Sequence, residues 1–161
     1  NVNVFIVQSE FQKSKFVAQG INADKIVIVP GIAPTVEVPD VWNPGDFVSF
    51  VGRVSVEKGI DEFINAARLN PNYPFKVAGN IDAAYHIPDD LPPNVEFVGF
   101  LKGKDLDAFY LKSRIIVVPS KWYEGFPNVI VRGMLLRRAI ITSNIGALIL
   151  ELIGFLPHSY C

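Results

Sequence analysis

Apolar residues gather into short runs along the chain: Val4–Val7, Ile26–Val29, Phe47–Val51, Phe75–Ala78, Val95–Val98, Ile115–Pro119 and Ala139–Thr142. Most are apolar throughout and do not alternate with polar positions, as expected of strands covered on both faces by helices. Helical spacing lies between them. Ser9-Glu10-Phe11-Gln12 is a capping box opening a helix that Gly20 is placed to stop. Ile60, Phe63, Ile64 and Ala67 form an i, i+3, i+4, i+7 stripe, Leu106, Phe109 and Tyr110 a shorter one, and a further helix is expected from about Pro127 to Leu136. Strands alternating with helices predict an α/β fold, a Rossmann-like, doubly wound parallel sheet. Residues 30–45 carry Pro30, Gly31, Pro34, Pro39, Pro44 and Gly45 with little periodicity and read as a linker. The strand–helix–strand unit before it is too small to fold alone.

Composition adds bounds. The chain has 161 residues, half of them apolar, with a formal net charge of −1. That is enough for one domain with a sizeable core, and gives no reason to expect a nucleic-acid partner or a basic membrane surface. Cys161 is the only cysteine, so no disulfide can form within the chain, which fits a reducing compartment. No run reaches the roughly 18 apolar residues of a spanning helix. The chain starts at Asn1 without Met or a signal-peptide pattern, from which we expect upstream sequence to be missing.

Two clusters carry candidate chemistry. The first, Val51-Gly52-Arg53-Val54-Ser55-Val56-Glu57-Lys58-Gly59, follows a buried strand and precedes the Ile60 helix. In open α/β sheets, ligands bind where strands end and helices begin. Gly52 allows close backbone approach, and Arg53 and Lys58 put two cations beside a helix N-terminus, a combination suited to a diphosphate. An ordinary surface Arg and Lys fit the local pattern equally well. The second cluster, Pro119-Ser120-Lys121-Trp122-Tyr123-Glu124-Gly125-Phe126-Pro127-Asn128, turns from a strand into a helix, with Pro127 near the first helical position. Backbone N–H groups there can meet ligand oxygens, and Glu124 stands at the mouth of the crevice, unless it serves only the helix dipole.

Taken in order, these phrases resemble the family 4 (group 1) retaining glycosyltransferases. Gly52-Arg53, four residues, Lys58-Gly59, then Pro119-Ser120 and Glu124-Gly125-Phe126-Pro127-Asn128-Val129-Ile130 follow the family pattern. Ile28-Val29-Pro30-Gly31-Ile32 resembles its hinge, Asn94 to Phe100 its strand near the nucleobase, and Thr142 to Gly146 a later stretch. The resemblance implies the GT-B architecture, in which an N-terminal domain binds the acceptor and a C-terminal domain binds the nucleotide-sugar. Residues 1–30 would then be a strand–helix–strand remnant and hinge from the end of the acceptor domain. Residues 31–161 would be the nucleotide-sugar-binding domain, truncated or diverged at its C-terminus.

By the same resemblance, Arg53 and Lys58 neutralise the departing diphosphate, and Glu124 contacts the donor sugar. Gly125, Phe126, Pro127 and Asn128 complete that wall, Gly99 and Phe100 meet the base, and Gly52 lines the site. Charge placed where the bond breaks stabilises the leaving group. The implied activity is a mannosyltransferase of cell-surface polysaccharide or lipopolysaccharide synthesis, using GDP-mannose or a UDP-sugar, with no metal or other cofactor. The implied partner is the missing acceptor-binding domain, without which the chain alone is inactive, and the implied location is cytoplasmic, at the inner membrane face in the full-length enzyme. Asp105-Leu106-Asp107 matches the Asp-x-Asp pair of metal-dependent transferases but reads as an ordinary acidic first turn.

The sequence departs from the family at several points. A second glutamate is expected after seven intervening residues from Glu124, at the position held by Arg132, roughly 10–12 Å along a helix. The family carboxylate grips the ribose hydroxyls, whereas a guanidinium only donates; losing that bond costs about 1.5–3 kcal/mol. Arg137 replaces a helix-closing glycine, Ala139 replaces a proline, and Asn is missing before Gly31. The last ten residues do not match the family. A degenerate nucleotide-binding or interaction module without catalysis is the main alternative, and a sugar-nucleotide epimerase a third.

Overall fold

A computed structural model describes residues 2–38, 40, 43–123 and 127–145. The strands and helices follow the expected alternation: β1 (Phe5–Val7), α1 (Glu10–Ala18), β2 (Ile26–Ile28), β3 (Phe47–Val51), α2 (Ile60–Leu69), β4 (Phe75–Ala78), β5 (Val95–Gly99), α3 (Gly103–Lys112), β6 (Ser113–Val118), α4 (Asn128–Leu135) and β7 (Ala139–Thr142). Strands β3 to β7 form one parallel sheet in the order β5-β4-β3-β6-β7. The chain works outward from β3 through β4 to β5, then returns past β3 to β6. The direction of winding therefore reverses between β3 and β6, and in such sheets the crevice beyond the strand ends at that reversal is where ligands bind.

Both faces of this sheet are packed. On one, α2 buries Ile60, Phe63, Ile64 and Ala67 against Phe50, Phe75, Val77 and Val95. Phe63 sits between Phe50 and Phe75, with ring centroids 5.7 and 5.2 Å away. Burying side chains of this size stabilises the fold by about 1.5–3 kcal/mol each. On the other face, Phe109 of α3 packs on Phe47, while Tyr110, Ile116 and Leu136 join α3, β6 and the end of α4. Strand β6 starts at Ser113, two residues before its apolar run. Ser113 pairs with Phe47, and its hydroxyl donates to the Phe109 carbonyl at 2.8 Å, so one residue ends α3 and opens the strand.

Strands β1 and β2 form a separate two-stranded parallel sheet with α1 between them in sequence. Ser9 caps α1 by accepting from the Gln12 amide, and the Gln12 side chain accepts from the Gln8 amide, one residue earlier than the box predicts. The expectation of double coverage fails here and at β7: Ile6 is 71% exposed and Ile141 56%. Strand β7 is the edge of the described sheet, and among the described residues β1 and β2 pair only with each other, so uniform apolar runs at these places leave one side exposed.

The end of α4 explains two arginines. The Arg137 amide donates to Met134 O and the Arg138 amide to Gly133 O, a paired closing pattern that puts Arg137 at φ 56°. This left-handed conformation is costly for a residue with a Cβ. Arg137→Gly is expected to raise stability by about 1 kcal/mol in chemical denaturation; a variant no more stable than its parent would show the cap to be unstrained. Arg138 is 7% exposed. Its Nε donates to Leu136 O at 2.8 Å, and one terminal nitrogen reaches Asn43 O at 2.6 Å, Leu111 O at 3.1 Å and Ser113 O at 3.4 Å. Burial holds its guanidinium below the usual arginine range. One side chain thus ties the segment entering β3 to the α3–β6 junction and the α4 terminus. The diverged C-terminal segment and Cys161 lie outside the described residues.

Candidate functional site

Three loops converge at the strand ends. After Val51 the chain passes Gly52 and Arg53 to Val54, which is stitched to the loop after β4: Val54 N–H donates to Asn80 O at 2.8 Å, and Asp82 N–H donates to Val54 O at 3.0 Å. Gly79 lies against the Gly52 carbonyl, leaving no room for a Cβ. A short turn, Val56–Lys58, then leads to Gly59 at φ 77°, where α2 begins. Gly59 abuts the Pro119 carbonyl of the loop after β6, again with no space for a side chain. Lys121 N–H donates to Glu57 O at 2.9 Å, fastening the same two loops.

Two neighbouring hollows result. One, of about 290 Å³, is walled by Ala78, Phe100, Leu101 and Leu106, with Asn80 and Arg53 at its rim. The other, of about 210 Å³, brings Lys58 together with Ser120, Pro127 and Asn128. Val51 and Gly52 line both. Lys58 and the start of α4 therefore share a cavity, while Arg53 lies in the adjoining one. Pro127, expected near the first helical position, is the N-cap of α4, whose first helical residue is Asn128. The opening amides of a helix lack partners within it and carry the positive end of its dipole, so this cavity suits an anion. The larger hollow is mostly apolar and suits a flat ring.

Charge is distributed unevenly. One terminal nitrogen of Arg53 meets Glu57 Oε1 at 2.7 Å and the other meets Asp82 Oδ2 at 3.0 Å. Glu57 is held below the ordinary carboxylate range, first by its own backbone amide and further by the Arg53 charge. Arg132 is ion-paired with Asp107 of α3 rather than lining either hollow. Asp105 lies in the first turn of α3 as expected, but Asp107 is this partner of Arg132. Phe100 is 63% exposed and borders the apolar hollow. Gly99, at φ 79°, ends β5 and accepts from the Gly79 amide at 2.9 Å. Glu124, Gly125 and Phe126 lie outside the described residues. Among the described residues no group of three or more metal-ligating side chains occurs, and no helix is long and apolar enough to cross a membrane.

Asp82, Asn80 and Leu101 escaped the sequence reading, which took Leu106 for part of a helical stripe and Asp107 for part of an acidic first turn. Glu57, four residues from Arg53, was legible as a partner; Asp82, 29 residues away in sequence, required knowing that β4 lies beside β3.

The family profile for glycosyl transferases group 1 matches residues 45–156. The chain belongs to the group 1 glycosyl transferases. A curated relative of this group 1 chain, an uncharacterized 42.6 kDa protein in the cps region of Klebsiella pneumoniae, is 33% identical over 99% of the chain and 43% of its own length. An uncharacterized glycosyltransferase of Methanocaldococcus jannaschii is 29% identical over 67% of the chain and 30% of its own length. The chain thus spans less than half the length of these relatives. Among solved structures, Anabaena HepE in complex with UDP-glucose has a TM-score of 0.73 at 20% identity, covering 93% of this chain and 47% of that one. Sucrose-phosphate synthase from Thermosynechococcus elongatus has a TM-score of 0.75 at 22% identity, covering 92% and 42%. The five-stranded parallel sheet with its flanking helices matches the Rossmann-like domains of GT-B glycosyltransferases.

Proposed function

We propose that this chain is the donor-binding part of a retaining glycosyltransferase. The nucleobase enters the apolar hollow beside Phe100 and Leu101, and the diphosphate enters the cavity shared by Lys58 and the start of α4. The observation that carries this reading is that shared cavity, placed where the winding of the sheet reverses. During transfer the bond from the sugar carbon to the diphosphate oxygen breaks and the diphosphate leaves with the electron pair. Lys58, Arg53 and the α4 amides stabilise that charge as it develops, and an acceptor hydroxyl oxygen takes its place on the sugar while its proton passes to the departing diphosphate. Glu124 would hold the sugar, with Gly125, Phe126, Pro127 and Asn128 forming its wall. Residues 1–30 would belong with the acceptor side, and acceptor choice would reside in the longer protein.

A role in cell-surface polysaccharide synthesis is supported by the Klebsiella relative's place in a cps region. UDP-glucose in the HepE complex supports a uridine donor, while the sequence resemblance supports a mannosyl one. Calorimetric titration with UDP, UDP-glucose, GDP and GDP-mannose separates these. Binding of one nucleotide pair at micromolar to millimolar concentration is expected, and no binding of any of the four at millimolar concentration would overturn the reading. The Arg132–Asp107 ion pair favours a second reading, an interaction module without catalysis, because it commits to a structural contact the position where a ribose-binding carboxylate is otherwise expected. That reading predicts the null titration.

A further inference from the structure

Arg53 reaches the site already compensated. One guanidinium faces two carboxylates, Glu57 at 2.7 Å and Asp82 at 3.0 Å, so this cluster carries a net charge of −1 beside the cavity that takes the diphosphate. The carboxylates come from different loops. Glu57 lies on the turn after β3, and Asp82 lies on the loop after β4, where its second oxygen accepts from the Ala84 amide at 3.0 Å. The Val54–Ile81 bridge fixes those loops against each other. The guanidinium is thereby drawn to the β4 side, over the apolar hollow, while Lys58 lines the neighbouring cavity.

We propose that Glu57 and Asp82 are counter-charges on Arg53 that limit how tightly the site holds phosphate, and so set its preference between the nucleotide-sugar and the nucleotide left after transfer. This inference rests on the donor-binding reading. A nucleotide-sugar carries two phosphate charges near neutral pH, and the released nucleoside diphosphate carries up to one more. A carboxylate close to Arg53 weakens binding in proportion to ligand charge, so it penalises the product more than the donor. Five N–H donors on the guanidinium leave some for phosphate even while both carboxylates are held. Glu57 and Asp82 then act as positioning and charge-setting residues without touching the donor.

The test is equilibrium binding of UDP, UDP-glucose and uridine to the full chain and to Asp82→Asn and Glu57→Gln, at low and high salt. Asparagine keeps the oxygen that accepts from Ala84, and Glu57→Gln provides an independent variant if Asp82→Asn does not fold. Each variant is expected to tighten UDP by about three- to tenfold at low salt. UDP-glucose should gain less, uridine nothing, and the gain should vanish at high salt. UDP affinity that is unchanged or weaker in a folded variant, or an equal change for uridine, would overturn the inference. If the parent binds UDP and neither variant gains, only the inference falls. If neither the parent nor any variant binds UDP, UDP-glucose, GDP or GDP-mannose, the donor-binding reading falls with it.

Discussion

Lys58→Ala is expected to lower affinity for a nucleoside diphosphate by about ten- to a hundredfold, the equivalent of one charged hydrogen bond. Lys58 is the cation among the described residues lining the cavity at the start of α4, and Ser120 and the helix terminus offer only polar contacts and partial charge beside it. Arg53→Ala should cost at least as much for a different reason. It strips the guanidinium from Glu57 and Asp82 and leaves two carboxylates without that counter-charge. Adding Asp82→Asn and Glu57→Gln to Arg53→Ala should therefore recover more of the loss than adding the same pair to Lys58→Ala, where both carboxylates still face the guanidinium. Calorimetry on the folded variants reads both effects. Equal UDP affinity in parent and Lys58→Ala would mean that the diphosphate does not enter this cavity.

Arg138→Met is expected to destabilise the chain by about 3 kcal/mol, read from chemical denaturation. The substitution keeps much of the side-chain volume but leaves the buried carbonyls of Leu136 and Ser113, and the part-buried ones of Asn43 and Leu111, without this donor. An unmade bond to a buried carbonyl costs more than the net worth of the bond that was there. Arg138→Lys should recover only part, since one ammonium cannot reproduce both the Nε and the terminal-nitrogen contacts. A loss below about 1 kcal/mol would show that water replaces the guanidinium without penalty.

Much of the fold was legible because its signals are local. The runs at Phe47–Val51, Phe75–Ala78 and Ala139–Thr142 coincide with β3, β4 and β7, and the Ile60, Phe63, Ile64, Ala67 stripe is the buried face of α2. Parallel winding then places the loops after β3 and β6 together, so Gly52, Lys58, Pro127 and Asn128 were within reach of sequence reasoning. Long-range pairings were not. Asp82 meets Arg53, and Asp107 meets Arg132, across separations that no periodicity encodes. Arg138 resembles its neighbour Arg137 in sequence, yet one is buried among carbonyls and the other adopts the left-handed closing position of α4. The half-exposed strands β1 and β2 have the composition of covered strands because burial depends on what packs over them, not on the run itself.

The most direct test is to follow backbone amide resonances of the chain during titration with UDP. The account predicts saturable shifts concentrated at Val51 to Gly59, at Gly79 to Asp82, at Leu101 and at Asn128 and Val129, with β1 and β2 unmoved. Shifts confined to the β1–α1–β2 unit, or none at millimolar UDP or GDP, would contradict it.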